Sequence, residues 1–408
     1  MKNTICIFFS SEKIEKILSV YEDVIQNLPK KYETFYFVNF YNITNNNKKN
    51  LLDQKRFEKK YNIKIFCPQN KKEFNEFTEN RLIFAFDDLG KSFKYFKVRA
   101  LINKDNIKLI LFQNIGYFSN QGTFEGNIST KNFFYLIKRI LVRKIFRIMV
   151  FLNLFSPIFI YFECRRDYVN NCKLREKKFK NKNKIFNYLY FENTVQINSR
   201  SYDKFIKNKY DLSNDKIIFI DGNYEHLDIL QRENLDLDKL KLEYFSKLKN
   251  FLKKISLVYN KEILICLHPN SNLQEYKKFF KEFNLIQFDT EKKIYSSFLV
   301  IFHESSSIDT AIFLKKKIIS LRTNLFGKYF ENRINKYSEE LGLMSINLDN
   351  EFDFKKEEIE KRVNISENKF NDYIYAYLKS NENETGISKV YRVLNNHHDL
   401  LGKLWKKK

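Results

Sequence analysis

At 408 residues the chain is longer than one hydrophobic core usually organises, so two domains are the expectation. With 43% hydrophobic residues, including 42 Phe and 25 Tyr, it carries enough apolar surface to offset the entropy of ordering, which excludes a disordered protein. The formal charge of +24 is spread along the length rather than gathered into one block, which favours an anionic membrane surface or anionic substrate over nucleic acid as partner.

The N-terminus, MKNTICIFFSSEKIEK, is an apolar run of strand length followed by charges, without the features of a signal peptide, so a cytoplasmic location is expected. Residues 1–130 alternate short apolar runs with amphipathic segments, the βαβ signature of a mostly parallel sheet. Strands are predicted at Thr4 to Phe9, Thr34 to Val38, Ile63 to Phe66, Arg81 to Phe86 and Lys108 to Phe112, with helices at Ile14 to Leu28 and Phe93 to Ile102. This reads as a Rossmann-like lobe, the one expected to meet an acceptor. Asp87 and Asp88 stand at one strand end in it, and Gln113 and Asn114 at another.

The character changes over 131–185. The stretch KNFFYLIKRILVRKIFRIMVFLNLFSPIFIYF interleaves Lys138, Arg139, Arg143, Lys144 and Arg147 with large apolar residues, then runs nearly uncharged to Phe162. A spanning helix needs roughly 20 predominantly apolar residues, and Pro157 interrupts this one. The expectation is a segment lying in the headgroup plane of an acidic inner-membrane leaflet, the ordinary alternative being a buried helix pair. Lys173 to Lys184, KLREKKFKNKNK, is like-charged and reads as a solvated linker at a domain boundary.

A second Rossmann-like lobe is expected over 186–350. Its predicted strands are Thr194 to Ile197, Lys216 to Ile220, Glu262 to Leu267, Leu285 to Gln287, Phe298 to Phe302 and Lys317 to Leu321. Helices are predicted at Asp238 to Val258, Asn272 to Glu282 and Ser306 to Leu314. Residues 351–408 read as C-terminal helices, Lys355 to Val363 and Asn371 to Leu378, and a basic tail. The five cysteines are irregularly spaced and suggest neither a disulfide framework nor a zinc site. There is no HExxH, paired CxxC, GxGxxG, P-loop or G-x-S-x-G pattern, so no metal or dinucleotide cofactor and no serine hydrolase is expected.

Three of the five histidines, His226, His268 and His303, fall at or shortly after the ends of predicted strands in the second lobe. Ligands of open α/β sheets bind outside the carboxyl ends of the strands, so three strands deliver imidazoles to one edge. In IIFIDGNYEHLDIL, Asp221 closes a strand, Gly222 permits a turn, and His226 and Asp228 follow. Asp221 is a candidate base or sugar-hydroxyl ligand, with an ordinary Asp-Gly turn as the bland reading. In EILICLHPNSN, Pro269 cannot donate to the sheet ladder and fixes the turn, which would direct His268 toward a leaving phosphate. In VIFHESSSIDTAIFL, Ser305, Ser306 and Ser307 stand where a helix begins, and the amides there lack intrahelical partners, which suits phosphate unless this is a plain serine cap.

The order D-G-x-x-x-H-x-D, a strand ending in HP, then a strand ending in H-x-S-S-S before a helix resembles bacterial surface-carbohydrate and lipopolysaccharide glycosyltransferases, including the sialyltransferase and capsule polymerase group. The likeness covers mainly residues 194–350. It implies a GT-B-like α/β fold of two Rossmann-like lobes facing across a cleft, with a nucleotide sugar held mostly by the C-terminal lobe. His268 and Pro269 would meet the nucleotide phosphate, Ser305 and Ser306 would hold the phosphate or nucleotide, and His303 would line the site. The base stays open among Asp221, Asp87 and Asp88, because Ile220 stands where that group has a second acidic residue. The implied reaction moves a sugar, sialic-acid-like or Kdo-like, from a CMP- or UDP-linked donor to a surface glycan or lipid-linked acceptor, with no metal. The alternatives are transfer of a polyol phosphate and a non-catalytic protein that binds a glycan or nucleotide sugar.

Overall fold

The computed structural model describes residues 2–11, 14–27, 35–44, 54–89, 92–113, 130–180, 191–207, 213, 215–222 and 237–405. The chain divides into two compact units, one of residues 1–114, 134–198 and 380–408, the other of 115–133 and 199–379.

The first unit is built on seven strands: β1 (Lys2–Phe9), β2 (Phe35–Asn39), β3 (Lys64–Phe66), β4 (Arg81–Asp87), β5 (Ile107–Gln113), β6 (Ile158–Glu163) and β7 (Phe191–Gln196). They pair in parallel in the order β3-β2-β1-β4-β5-β6-β7. Because neighbouring side chains of a strand point to opposite faces, a sheet covered on both sides needs apolar residues at every position. Ile5, Ile7 and Phe9 face one core with Phe84, Phe86 and Ile160, while Cys6 and Phe8 face another with Ile83, Ala85 and Ile158.

Helices roof both faces. Ile14–Gln26 covers the first face together with Gly386–Trp405, whose Ile387, Val390, Tyr391 and Leu394 enter the same core. The Tyr391 hydroxyl donates to the Val24 carbonyl. Lys71–Thr78, Phe96–Leu101 and Thr130–Phe151 cover the second face, the last through Val142 and Phe146.

The second unit holds β8 (Lys216–Ile220), β9 (Ile263–Cys266), β10 (Asn284–Ile286), β11 (Ser297–Phe302), β12 (Lys317–Arg322) and β13 (Ile346–Asn347), all parallel in the order β10-β9-β8-β11-β12-β13. Leu237–Tyr259 packs Tyr244, Phe245, Leu248 and Leu252 on the face made by Ile217, Phe219, Ile265 and Ile301. Ile308–Phe313 and Gly327–Leu341 close the opposite face over Ile218, Ile220, Val300 and Phe302. The α/β class with two Rossmann-like, mostly parallel sheets is therefore as the sequence led us to expect.

Three local expectations are corrected. The strand expected at 194–197 belongs not to the second lobe but to the first sheet, where β7 is the last strand. The uncharged run ending at Phe162 is not interfacial throughout, since Ile158–Glu163 is the buried strand β6. The linker expected from Lys173 begins inside a helix, Arg166–Lys180, which Val169 and Cys172 anchor by burial while Lys173 and Leu174 stay exposed. Like charges on one solvated helix face do not forbid a helix whose other face is buried.

Candidate functional site

In each sheet the connections run outward in opposite directions from one pair of strands, β1 and β4 in the first unit, β8 and β11 in the second. At such a switch point the loops leaving the carboxyl ends part and leave a crevice, the usual ligand position of this architecture. The candidate residues Asp221, Gly222 and Ser305 follow β8 and β11, so the second unit's switch point is built from the segments singled out above.

A network of polar contacts holds this edge together. Asp221 is almost wholly buried. Its backbone amide donates to the Cys266 carbonyl at 2.9 Å, and its carboxylate accepts from the Ser271 hydroxyl at 2.7 Å and the His268 amide at 3.4 Å. The carboxylate of one strand end thus fixes the His268-Pro269-Asn270-Ser271 turn of the next. Gln287, just after β10, donates to the Ser271 carbonyl at 2.8 Å and the Pro269 carbonyl at 3.2 Å, bracing that turn from its other side. The Asn270 amide donates to His268 Nδ1 at 3.2 Å. A neutral imidazole held this way carries its proton on Nε2, as a donor.

Across the switch point a Cβ built on Gly222 would lie 2.7 Å from the Glu304 carbonyl oxygen, closer than side chains are found to approach backbone. Glycine is needed here for the close approach of two loops. The Glu304 carboxylate pairs with Arg333 of the Gly327–Leu341 helix, which places a guanidinium at the same edge.

The serine turn differs from expectation. The helix after it, Ile308–Phe313, has six residues, and the amides of Ile308, Asp309 and Thr310 donate to the carbonyls of Ser305, Ser306 and Ser307 at 3.2–3.3 Å. The Ser307 amide donates to Ser305 Oγ at 3.3 Å. Those four amides are therefore engaged, and the open helix end proposed as a phosphate cradle is reduced to the serine turn itself. Asp309 lies beneath it, and burial pushes its carboxyl up to about 8, which favours the uncharged acid over a carboxylate that would oppose an anion.

His303 is corrected more fully. It is 2% exposed. Its Nδ1 bonds the Leu321 carbonyl at 2.8 Å and its Nε2 the Tyr244 hydroxyl at 2.8 Å, so Nδ1 carries the proton and Nε2 accepts. Burial pushes it down to about 4. A neutral histidine joining β11, β12 and the Leu237–Tyr259 helix serves the core and does not line the crevice. His226 and Asp228 lie outside the described residues.

At the first unit's switch point Asp87 is buried and accepts from the Arg99 guanidinium at 2.7 Å and the Leu89 amide at 3.1 Å. A carboxylate so neutralised is a structural ion pair rather than a base. Asp88 is exposed, its amide bonded to the Phe8 carbonyl at 2.9 Å. Its carboxylate is hydrogen-bonded to the buried Tyr21 hydroxyl, which burial and this contact push well up. Among the described residues no group of three or more His, Cys, Asp or Glu is placed to hold a metal.

The sequence reading missed Ser271, Gln287, Glu304 and Arg333. Ser271 and Gln287 flank the HP turn and were readable as its neighbours, whereas the pairing of Glu304 with Arg333 spans a strand and a helix and leaves no local signal.

No protein-family model matches the chain, and no curated protein matches its sequence. Among solved structures it is similar to S. aureus MnaA with UDP, at 13% identity and TM-score 0.47 over 98% of this chain and 97% of that one. It is also similar to UDP-GlcNAc 2-epimerase of Methanocaldococcus jannaschii in complex with UDP-GlcNAc and UDP, at 14% identity and TM-score 0.44 over 97% and 99%. A third is the wall teichoic acid polymerase TagF, at 13% identity and TM-score 0.43 over 98% and 90%. At these values the overlap is one of chain layout, and no residue role is carried across.

Proposed function

We propose that the protein is a nucleotide-sugar-dependent glycosyltransferase of GT-B type, working on a surface glycan or lipid-linked acceptor at the cytoplasmic side of the inner membrane. The observation that carries this reading is the Asp221-braced turn presenting His268 beside the switch point of the second unit. A phosphate-bearing donor placed there would receive a hydrogen bond from His268 Nε2, with Pro269 fixing the turn and the Ser305–Ser307 hydroxyls adjoining it. Donors aimed at a departing phosphate stabilise the charge that develops as the bond to the sugar breaks.

In this reading Asp221 positions His268 and does not act as the base, since its carboxylate is committed to Ser271 and the turn. In the first unit Asp88 rather than Asp87 remains the candidate base, because the Asp87 carboxylate is tied to Arg99. The donor is CMP- or UDP-linked, and an acid sugar of the sialic-acid or Kdo type is what the motif order implies.

A thermal-shift titration of the wild type and His268→Ala with CMP, UDP, GDP and their sugar conjugates tests this, because a ligand that binds only the folded state raises its melting temperature. One nucleotide is expected to stabilise the wild type and to lose at least tenfold in affinity with His268→Ala. No shift with any of them rejects the nucleotide-sugar reading and leaves polyol-phosphate transfer or a non-catalytic role.

A further inference from the structure

The Thr130–Phe151 helix is apolar on two opposite sides. Val142 and Phe146 are buried against the first sheet, with Met149 and Val150 partly buried beside them. At 3.6 residues per turn, Ile137, Ile140, Leu141 and Ile148 fall on the side away from that core. They are 44%, 45%, 51% and 53% exposed. The turn after the helix adds Leu152 at 54% and Leu154 at 48%. Lys138, Lys144 and Arg147 are exposed among them, and the sequence from Thr130 to Phe162 contains no acidic residue.

Burial of one stripe on its own sheet holds the helix rigidly while the second stripe faces outward. No described helix is long and apolar enough to cross a membrane. We infer that this outer face is a docking surface for an anionic bilayer, with the aliphatic side chains entering the headgroup boundary and the Lys and Arg termini meeting lipid phosphates. The charge pattern selects this occupant. A second copy of a chain of net charge +24 would set this basic helix against its like, which is repulsive, whereas an acidic leaflet attracts each cation while the apolar stripe leaves water. The inference rests on the transferase reading only for which leaflet is met, and not for the contact itself.

Flotation of the full-length protein with phosphatidylcholine vesicles, with and without phosphatidylglycerol, tests it. Salt-sensitive binding to the anionic vesicles alone is expected. Reversal of each of Lys138, Lys144 and Arg147 to Glu should reduce partitioning by more than the roughly fivefold that neutralising one cation costs. The pair Leu141→Gln and Ile148→Gln, both exposed and therefore tolerated by the fold, should abolish binding at unchanged melting temperature. Equal binding of wild type to neutral and anionic vesicles, or wild-type binding by the charge-reversed and Gln variants, overturns the proposal. So does a concentration-dependent dimer that these variants dissolve, which would give the face to a second copy. The nucleotide thermal shift reads the other unit's site, so failure of one test leaves the other standing.

Discussion

Each carboxylate near the two switch points has a distinct role set by what it touches. Asp87 neutralises Arg99 in the core, Asp221 holds a neighbouring turn, and Asp88 is exposed at its sheet edge. Asp309 is a further buried acid of the second unit. It is hydrogen-bonded to the Ser201 and Tyr373 hydroxyls, with the Glu291 carboxylate nearby raising its pKa further. Because its carboxyl is raised to about 8 in the fold, the folded state keeps a proton that the unfolded chain releases in the ordinary carboxylate range. Its contribution is complete at acid pH, falls as pH rises between the two values and is lost above about 8. Asp309→Asn, which cannot ionise, should flatten this slope. Melts at about pH 5 and about pH 9 should show the wild type losing on the order of a few kcal/mol more than the variant. Equal losses would show that Asp309 is not protonated in the fold.

The elements place these residues by their ends. The loop after β8 and the loop after β11 come so close that only glycine fits at 222. Gly222→Ala should cost about 1–3 kcal/mol, as overpacking does, and should weaken nucleotide stabilisation by moving Glu304. Chemical denaturation and the nucleotide titration measure the two effects, and an unchanged variant would show that the loops part without cost. Most strands of both sheets, though not β6 or β13, were legible because parallel strands covered on both faces read as near-continuous apolar runs, as ILIC and KIIFI do. The buried strand β6 was hidden because its apolar run continues an apolar helix and turn, so no change of period marks its start. Asp221 and His268 were legible at strand ends. The burial of His303 was not, because its partners Tyr244 and Leu321 lie on other elements. The charge of KLREKKFK concealed a helix whose anchors, Val169 and Cys172, stand before most of the lysines.

Over the whole molecule, the first unit is assembled from both ends of the chain. Removing Gly386–Trp405 would strip Ile387, Val390, Tyr391 and Leu394 from its core. Each buried apolar side chain contributes roughly 1.5–3 kcal/mol, so the loss is comparable with the stability of a typical domain. A chain truncated after residue 385 should lose the first unit's melting transition and become protease-sensitive there while the second unit's transition persists, as calorimetry and limited proteolysis would show. Two intact transitions would contradict this. The second unit has its main boundaries at Ser199 and Lys379, and within it the Ser199 amide bonds the Leu378 carbonyl at 2.8 Å. In the order of synthesis Lys379 precedes Gly386, so the second unit's sequence is made before the helix that roofs the first unit's opening strand. The unit whose first strand is made earlier is thus completed later, and until Gly386–Trp405 has been made the core on that face of the first sheet lacks Ile387, Val390, Tyr391 and Leu394.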